Sequence, residues 1–274
     1  MVEATRGVLG DLVRRLLPRR APMLHIAEDH GTGPVIILLH GIASTAATFA
    51  EVAPELHGHR RIAIELLGFG GSPPGTEYTI EEHIAAIHRT IRSLRLRGPF
   101  TLVGHSLGAL LSARYAAKYP REVGRLVLIS PPVYLAPSEI GDPMARRRVE
   151  AFLRSYAFLR ANKDFTVAAA AGIGRLLQLG TTLQITEDNW DAFTRSLEHC
   201  IESQTTIADI AAVRAPVDVV YGGLDQFLAP GTMRIVDRMR HVTTHRVELH
   251  DHVVRGRLAR AAVAAILGEG RPGD

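Results

Sequence analysis

Between Thr101 and Ala113 an apolar, β-type run ends in Gly104-His105-Ser106-Leu107-Gly108, and an alanine- and leucine-rich helical run begins at once. A strand that becomes a helix within so few residues strains the backbone at its corner and crowds the flanking positions. Glycine relieves that crowding because it has no Cβ, and glycine stands at 104 and 108, on either side of Ser106. The helix start also brings unpartnered N–H groups and positive partial charge close to the serine hydroxyl. The letters Gly-x-Ser-x-Gly alone recur by chance in roughly one chain in ten of this length. Context has to decide what the corner is for.

The surrounding chain alternates. Val35-Ile36-Ile37-Leu38-Leu39 is a continuous β-branched and leucine run, followed by comparable runs at 61–66, 100–104, 125–130 and 217–221. Such runs need cover on both faces, as in a parallel sheet sandwiched between helices. Helical spacing fills the intervals at 79–96, 107–118, 231–240 and 256–267, with a further strand at 244–249. Thr79 is placed to cap the first helix, with Glu82 at capping-box distance. Met23 to Ala27 reads as an edge strand and 29–34 as a turn. This rhythm predicts an α/β fold, a mostly parallel sheet flanked by helices. It stops between 135 and 212, where only helical stretches occur, at 143–161, 164–178 and 187–203. The block is expected to be an inserted helical cap (135–212) on a core formed by 1–134 and 213–274.

Composition excludes several classes. Cys200 is the single cysteine, so no intrachain disulfide forms and a reducing, cytoplasmic setting is expected. Of the 32 basic residues only Lys118 and Lys163 are lysine; the arginines are dispersed and aromatics make up 5%, so no nucleic-acid partner is expected. Residues 7–17 place Val8, Leu9, Leu12, Val13, Leu16 and Leu17 on one helical face, opposite Asp11, Arg14 and Arg15. The charges rule out a signal peptide or a membrane span. Such a helix packs on its own domain or on a partner subunit, a homodimer included, in preference to lying on a membrane surface. His57-Gly58-His59 and His250-Asp251-His252 lack a third and fourth ligand at customary spacing, so neither metal nor cofactor is expected.

Four separated features together resemble the α/β-hydrolase fold enzymes with a helical cap. His40-Gly41 after the first long strand resembles the family's oxyanion loop, and Gly68-Phe69-Gly70-Gly71-Ser72 its glycine-rich loop. Gly104-His105-Ser106-Leu107-Gly108 resembles the nucleophile elbow, and Gly222-Gly223-Leu224-Asp225 with Pro230 the acid loop. Two positions depart from the pattern: Glu65 replaces an aspartate, and Asp251-His252 replaces Gly-His. The resemblance implies a serine hydrolase. Because the nucleophile position holds serine, it speaks against haloalkane dehalogenase and epoxide hydrolase chemistry.

A serine hydroxyl needs a base to take its proton, and an imidazole needs a carboxylate to hold its tautomer. Ser106 is the candidate nucleophile and Asp225, on the loop after 217–221, the candidate acid. Asp218 lies inside that strand, and Asp251 is too near the base in sequence to orient it. The base comes from the last loop, where His252 is preferred over His250. Backbone N–H groups of Ile42 and Leu107 are the candidate oxyanion donors, with His40 supporting their loop. The expected substrate is a small or medium hydrophobic ester, cleaved through an acyl-enzyme. Thioester, lactone or carbon–carbon hydrolysis on the same triad, and a slowly hydrolysing receptor, stay open. Phe152, Tyr156, Phe158, Phe165, Trp190 and Phe193 are the large apolar residues of the insertion, most of them expected to pack within it. Arg146-Arg147-Arg148 is expected on a solvated helix face.

Overall fold

Uninterrupted apolar strands demand burial on both sides, and their side chains alternate between the two faces. The computed structural model, which describes residues 20–176, 184–228 and 232–269, meets that demand with a seven-stranded sheet. Its strands are β1 (Ile26–His30), β2 (Val35–Leu39), β3 (Arg60–Ile64), β4 (Phe100–His105), β5 (Val123–Ile129), β6 (Val217–Gly222) and β7 (Val242–Val247). They lie in the order β1-β3-β2-β4-β5-β6-β7. Only β1 runs antiparallel to its neighbour; the other pairings are parallel.

Alternation sorts the core into two layers. Ile37, Leu39, Ile62, Ile64, Leu102, Leu126 and Leu128 face α1 (Ile80–Ser93) and α2 (Leu107–Lys118). Ile36, Leu38, Ala63, Val103, Val127 and Ile129 face the opposite layer, which holds Leu258, Ala262 and Ile266 of the final helix, Gly256–Leu267. The chain leaves β2 towards β3 on one side and enters β4 on the other. The strand ends at β2 and β4 therefore open a crevice at the point where the strand order reverses, the customary ligand position in such sheets.

Between β5 and β6 the described elements are helical: α3 (Pro143–Ala161), α4 (Lys163–Leu176), α5 (Trp190–Ser196), a π-turn (Leu197–Glu202) and α6 (Thr206–Ala212). The stretch expected as one helix over 187–203 thus divides, and α6 has no counterpart in the sequence reading. After β6 come α7 (Thr232–Asp237), shorter than the expected 231–240, and α8 (Gly256–Leu267). The amphipathic stretch 7–17 and Pro230 lie outside the described residues.

Several boundaries differ from expectation for physical reasons. β1 starts at Ile26, so Asp29 and His30, read as turn, pair with Ile62 and Arg61. An edge strand leaves its polar side chains hydrated, and Asp29 adds a two-pronged pair with Arg60 at 2.8 and 2.7 Å. Leu24 is buried instead as an anchor whose N–H donates to Thr90 Oγ1 at 2.9 Å. β7 begins two residues early because Val242 and Thr243 continue the ladder with Val217 and Asp218. Thr79 does cap α1, its hydroxyl accepting from Glu82 N–H at 3.2 Å. Glu82, however, does not complete a capping box. Its carboxylate accepts from Thr76, Glu77 and Tyr78 N–H at 2.6–2.9 Å and organises the preceding turn.

Asp218 lies on β6 with its side chain 1% exposed, and bonds Arg125 of β5 at 3.2 Å and His245 of β7 at 3.0 Å. Arg125 also donates to Ala265 O of α8, so one carboxylate cross-links three strands and a helix. Removing one partner of a buried ion pair costs about 3 kcal/mol. Asp218→Ala should therefore lower the urea midpoint by that equivalent with the m-value unchanged.

Candidate active site

Ser106 sits between β4 and α2 with φ 53° and ψ −118°, a backbone that L-residues avoid. The corner is held by backbone bonds: Ser106 N–H donates to Ile129 O at 3.0 Å, and its carbonyl accepts from Ala109 N–H at 2.9 Å. Both flanking glycines are obligatory. A Cβ on Gly104 would lie 2.2 Å from Gly108 O, and one on Gly108 would lie 2.2 Å from Leu39 O. Leu107 is the first residue of α2, where helix N–H groups have no partner within the helix.

The loop after β2 lies directly on this corner, since a Cβ added to Gly41 would be 3.1 Å from Ser106 Cβ. His40 shapes that loop. Its Nδ1–H donates to Gly41 O at 2.7 Å, and its Nε2 accepts from Leu66 N–H at 3.0 Å. Burial pulls its pKa down to about 4, so the ring works as a neutral cross-brace and not as a base. Ile42 follows, half-buried, beside the crevice. The glycine-rich loop is braced by Glu65, whose carboxylate accepts from Gly71 N–H at 2.5 Å and pairs with His25 Nδ1 at 2.9 Å. Gly70, at φ 55°, has no room for a Cβ against that carboxylate, so its lack of a side chain leaves the space that Glu65 fills.

Asp225 and His252 meet on the loops after β6 and β7, and the His252 backbone oxygen lies 3.1 Å from His105, the residue before Ser106. His252 Nδ1 lies 2.8 Å from Asp225 Oδ2, with the carboxylate fully buried and the imidazole side chain 13% exposed. Oδ1 accepts from Phe227 N–H at 2.9 Å. Burial would raise the Asp225 pKa, but the His252 hydrogen bond and charge, the Phe227 N–H and the nearby Ser130 hydroxyl outweigh it and leave a net lowering. Because Nδ1–H serves Asp225, the imidazole has its Nε2 lone pair available as a base. His250 bonds Asp251 O, not Asp225. Asp251 folds the loop on itself, accepting from Val253 N–H at 3.1 Å and Arg255 at 2.8 Å.

Two residues with no role in the sequence reading touch this group. Phe227 stands edge-on to the His252 ring at 4.7 Å and meets Phe152 of α3 at 6.1 Å. His105 Nε2 lies 3.1 Å from His252 O, with the two rings 4.9 Å apart. His105 was visible as the variable letter before Ser106; nothing local marked Phe227. From the stretch between β5 and β6, Gln184 N–H donates to Ala43 O at 2.7 Å. Arg195 bonds Glu77 at 3.0 Å, and Ser196 Oγ meets His83 Nε2 at 3.2 Å. Among its aromatics Tyr156 and Phe193 are buried, whereas Phe158 and Phe165 are more than half exposed and pack on each other. Arg146, Arg147 and Arg148 are solvated, as expected.

The family model for the alpha/beta hydrolase fold matches residues 34–252. Lipase 3 of Moraxella sp. (strain TA144) is 25% identical over 232 residues, covering 78% of this chain and 70% of that protein. Lipase 1 of Psychrobacter immobilis is 24% identical over 235 residues, 79% of this chain and 70% of its own. The esterase EaEST of Exiguobacterium antarcticum superposes with a TM-score of 0.72 at 17% identity, over 89% of this chain and 95% of that one.

Burial sets a pH limit. It holds His40 and His83 at about 4 and His105 at about 3. Unfolding returns each to about 6.5. These groups therefore leave the fold at full stability above pH 6.5 and erode it as pH falls towards 4, because the unfolded chain binds the extra protons. With three protons at stake the slope approaches about 4 kcal/mol per pH unit. Urea midpoints should fall steeply between pH 6 and 4, and His83→Gln should reduce the proton uptake by about a third.

Proposed function

The chain belongs to the alpha/beta hydrolase fold family, and from that premise we propose that it is a serine esterase acting on a small or medium hydrophobic ester. What carries the proposal is the buried 2.8 Å pair of Asp225 and His252, whose base has its backbone oxygen 3.1 Å from His105, the neighbour in sequence of a serine on a strained strand-to-helix corner. His252 Nε2 takes the Ser106 proton as Oγ adds to the ester carbonyl. Negative charge then develops on the carbonyl oxygen, where the N–H groups of Leu107 and Ile42 receive it. Each such donor is worth roughly 2.7–4 kcal/mol in the transition state. The imidazolium, stabilised by Asp225, passes its proton to the leaving alcohol, and an acyl group stays on Ser106. Water repeats the sequence with His252 as base: its proton moves to Nε2, hydroxide adds to the acyl carbon, and the acid leaves as Ser106 recovers its proton.

Residues 135–212 act in this proposal as the cap, and 1–134 with 213–274 as the core. Support comes from hydrogen bonds that tie this stretch to the core, from Gln184 to Ala43 and from Arg195 and Ser196 to Glu77 and His83. Phe227 and Phe152 supply apolar wall next to the base, suited to a hydrophobic acyl or alcohol group. Among the described residues no helix is long and apolar enough to cross a membrane. With Cys200 buried and single, the proposal includes a reducing, cytoplasmic setting.

Nitrophenyl esters of increasing chain length, with thioesters and lactones beside them, test the bond class. Turnover should be highest on short to medium esters. Ser106→Ala should abolish both turnover and fluorophosphonate labelling, and Asp225→Asn should cut kcat by roughly 10³–10⁴. A folded wild-type chain that takes no label would refute an acyl-enzyme on Ser106.

A further inference from the structure

His105 precedes the serine, and the esterase mechanism leaves it without a task, yet it is 9% exposed. Its Nε2 stands 3.1 Å from the backbone oxygen of His252. A carbonyl only accepts, so the His105 proton must reside on Nε2. The opposite nitrogen, Nδ1, then carries a buried lone pair with no partner among the described residues. It faces Gly41, where an added Cβ would come within 3.1 Å of it. Burial, reinforced by the neighbouring His252, keeps the ring neutral with a pKa of about 3. An apolar side chain would fill this space without stranding an acceptor, which is costly in a protein interior. The one thing it could not supply is the N–H to His252.

That bond has a distinct place among the restraints on His252. Asp225 fixes the far nitrogen of the ring at 2.8 Å. Leu224 N–H donates to His250 O at 2.9 Å, which ties the base loop to the acid loop. Asp251 folds the base loop onto itself through Val253 and Arg255. The first two hold the base to its acid, and the third stiffens the base's own loop. The His105 bond joins the base's own backbone to the residue covalently next to the nucleophile.

We propose that His105 is a positioning residue whose Nε2–H fixes the His252 backbone to the serine corner and so sets the distance from imidazole to hydroxyl. The inference rests on Ser106 and His252 acting as proposed above. A proton transfer over a hydrogen-bond length is sensitive to small displacements of the base, so the effect belongs in kcat and not in substrate binding.

Two amides of different reach test it. In His105→Gln the side-chain N–H₂ reaches the position of Nε2; in His105→Asn the same group falls one methylene short. His105→Gln should keep kcat within about twofold of wild type, and His105→Asn should lose about tenfold with KM within about twofold. Equal kcat in the two variants overturns the proposal, whether both are active or both impaired. Ser106→Ala is assayed alongside: residual turnover there refutes the nucleophile itself, independently of the Gln–Asn difference. Should either variant fail to fold, nitrogen-15 NMR of the wild-type imidazoles decides. A slowly exchanging Nε2–H tautomer at His105 is expected, and an Nδ1–H tautomer overturns the tether.

Discussion

The contact between the start of α2 and the end of β2 is the constraint on which the rest of this molecule depends. Leu39 and His40 carbonyls lie where a Cβ on Gly108 would be, so helix and strand approach as closely as backbones can. That approach holds the corner at Ser106 at φ 53° and ψ −118°, a sparsely populated conformation costing about 1–3 kcal/mol for a residue with a side chain. Backbone bonds to Ile129 and Ala109 hold the corner there. The same contact brings the β2 loop, with Gly41 and Ile42, alongside the serine. A helix N-terminus, a second loop and a hydroxyl thus converge at the place where the strand order reverses.

Burial then divides the titratable groups around that point into two sets. His40, His83 and His105 lose hydration without gaining a carboxylate partner strong enough to repay it, and stay neutral. Neutral imidazoles can both donate and accept, and His40 uses both capacities to tie β2's loop to the end of β3. Asp225 is buried as well, but His252 and the Phe227 N–H more than compensate its desolvation and keep it ionised. His252 is thereby the imidazole in this cluster with a carboxylate behind it and partial access to solvent.

Much of this was legible in the linear chain, because the strongest signals are steric and local. Continuous apolar runs announce buried parallel strands, and glycines spaced around Ser106 announce a tight corner. Asp225 was legible as a carboxylate on a glycine-flanked loop, and His252 as a histidine in the final loop. Other features were hidden because their causes are long-range. β1 is polar over most of its length and exists because β3 offers it an edge. Glu82 has capping-box spacing, yet its carboxylate is drawn to three N–H groups of the preceding turn. Phe227 carries no local mark, and gains its place only when the acid loop folds against His252 and α3 brings Phe152 up to it.

Residues in the linear chain were enough to mark the parallel strands in their order, the corner at Ser106 and a short list of candidates to serve it, since periodicity and the absence of a Cβ act within a few residues. Tertiary structure decided which histidine faces Asp225, which imidazoles stay neutral, and that His105 reaches the backbone of His252 across 147 positions of chain. Hydrogen-bond partners and desolvation depend on what the sheet places side by side. No spacing along a single chain encodes them.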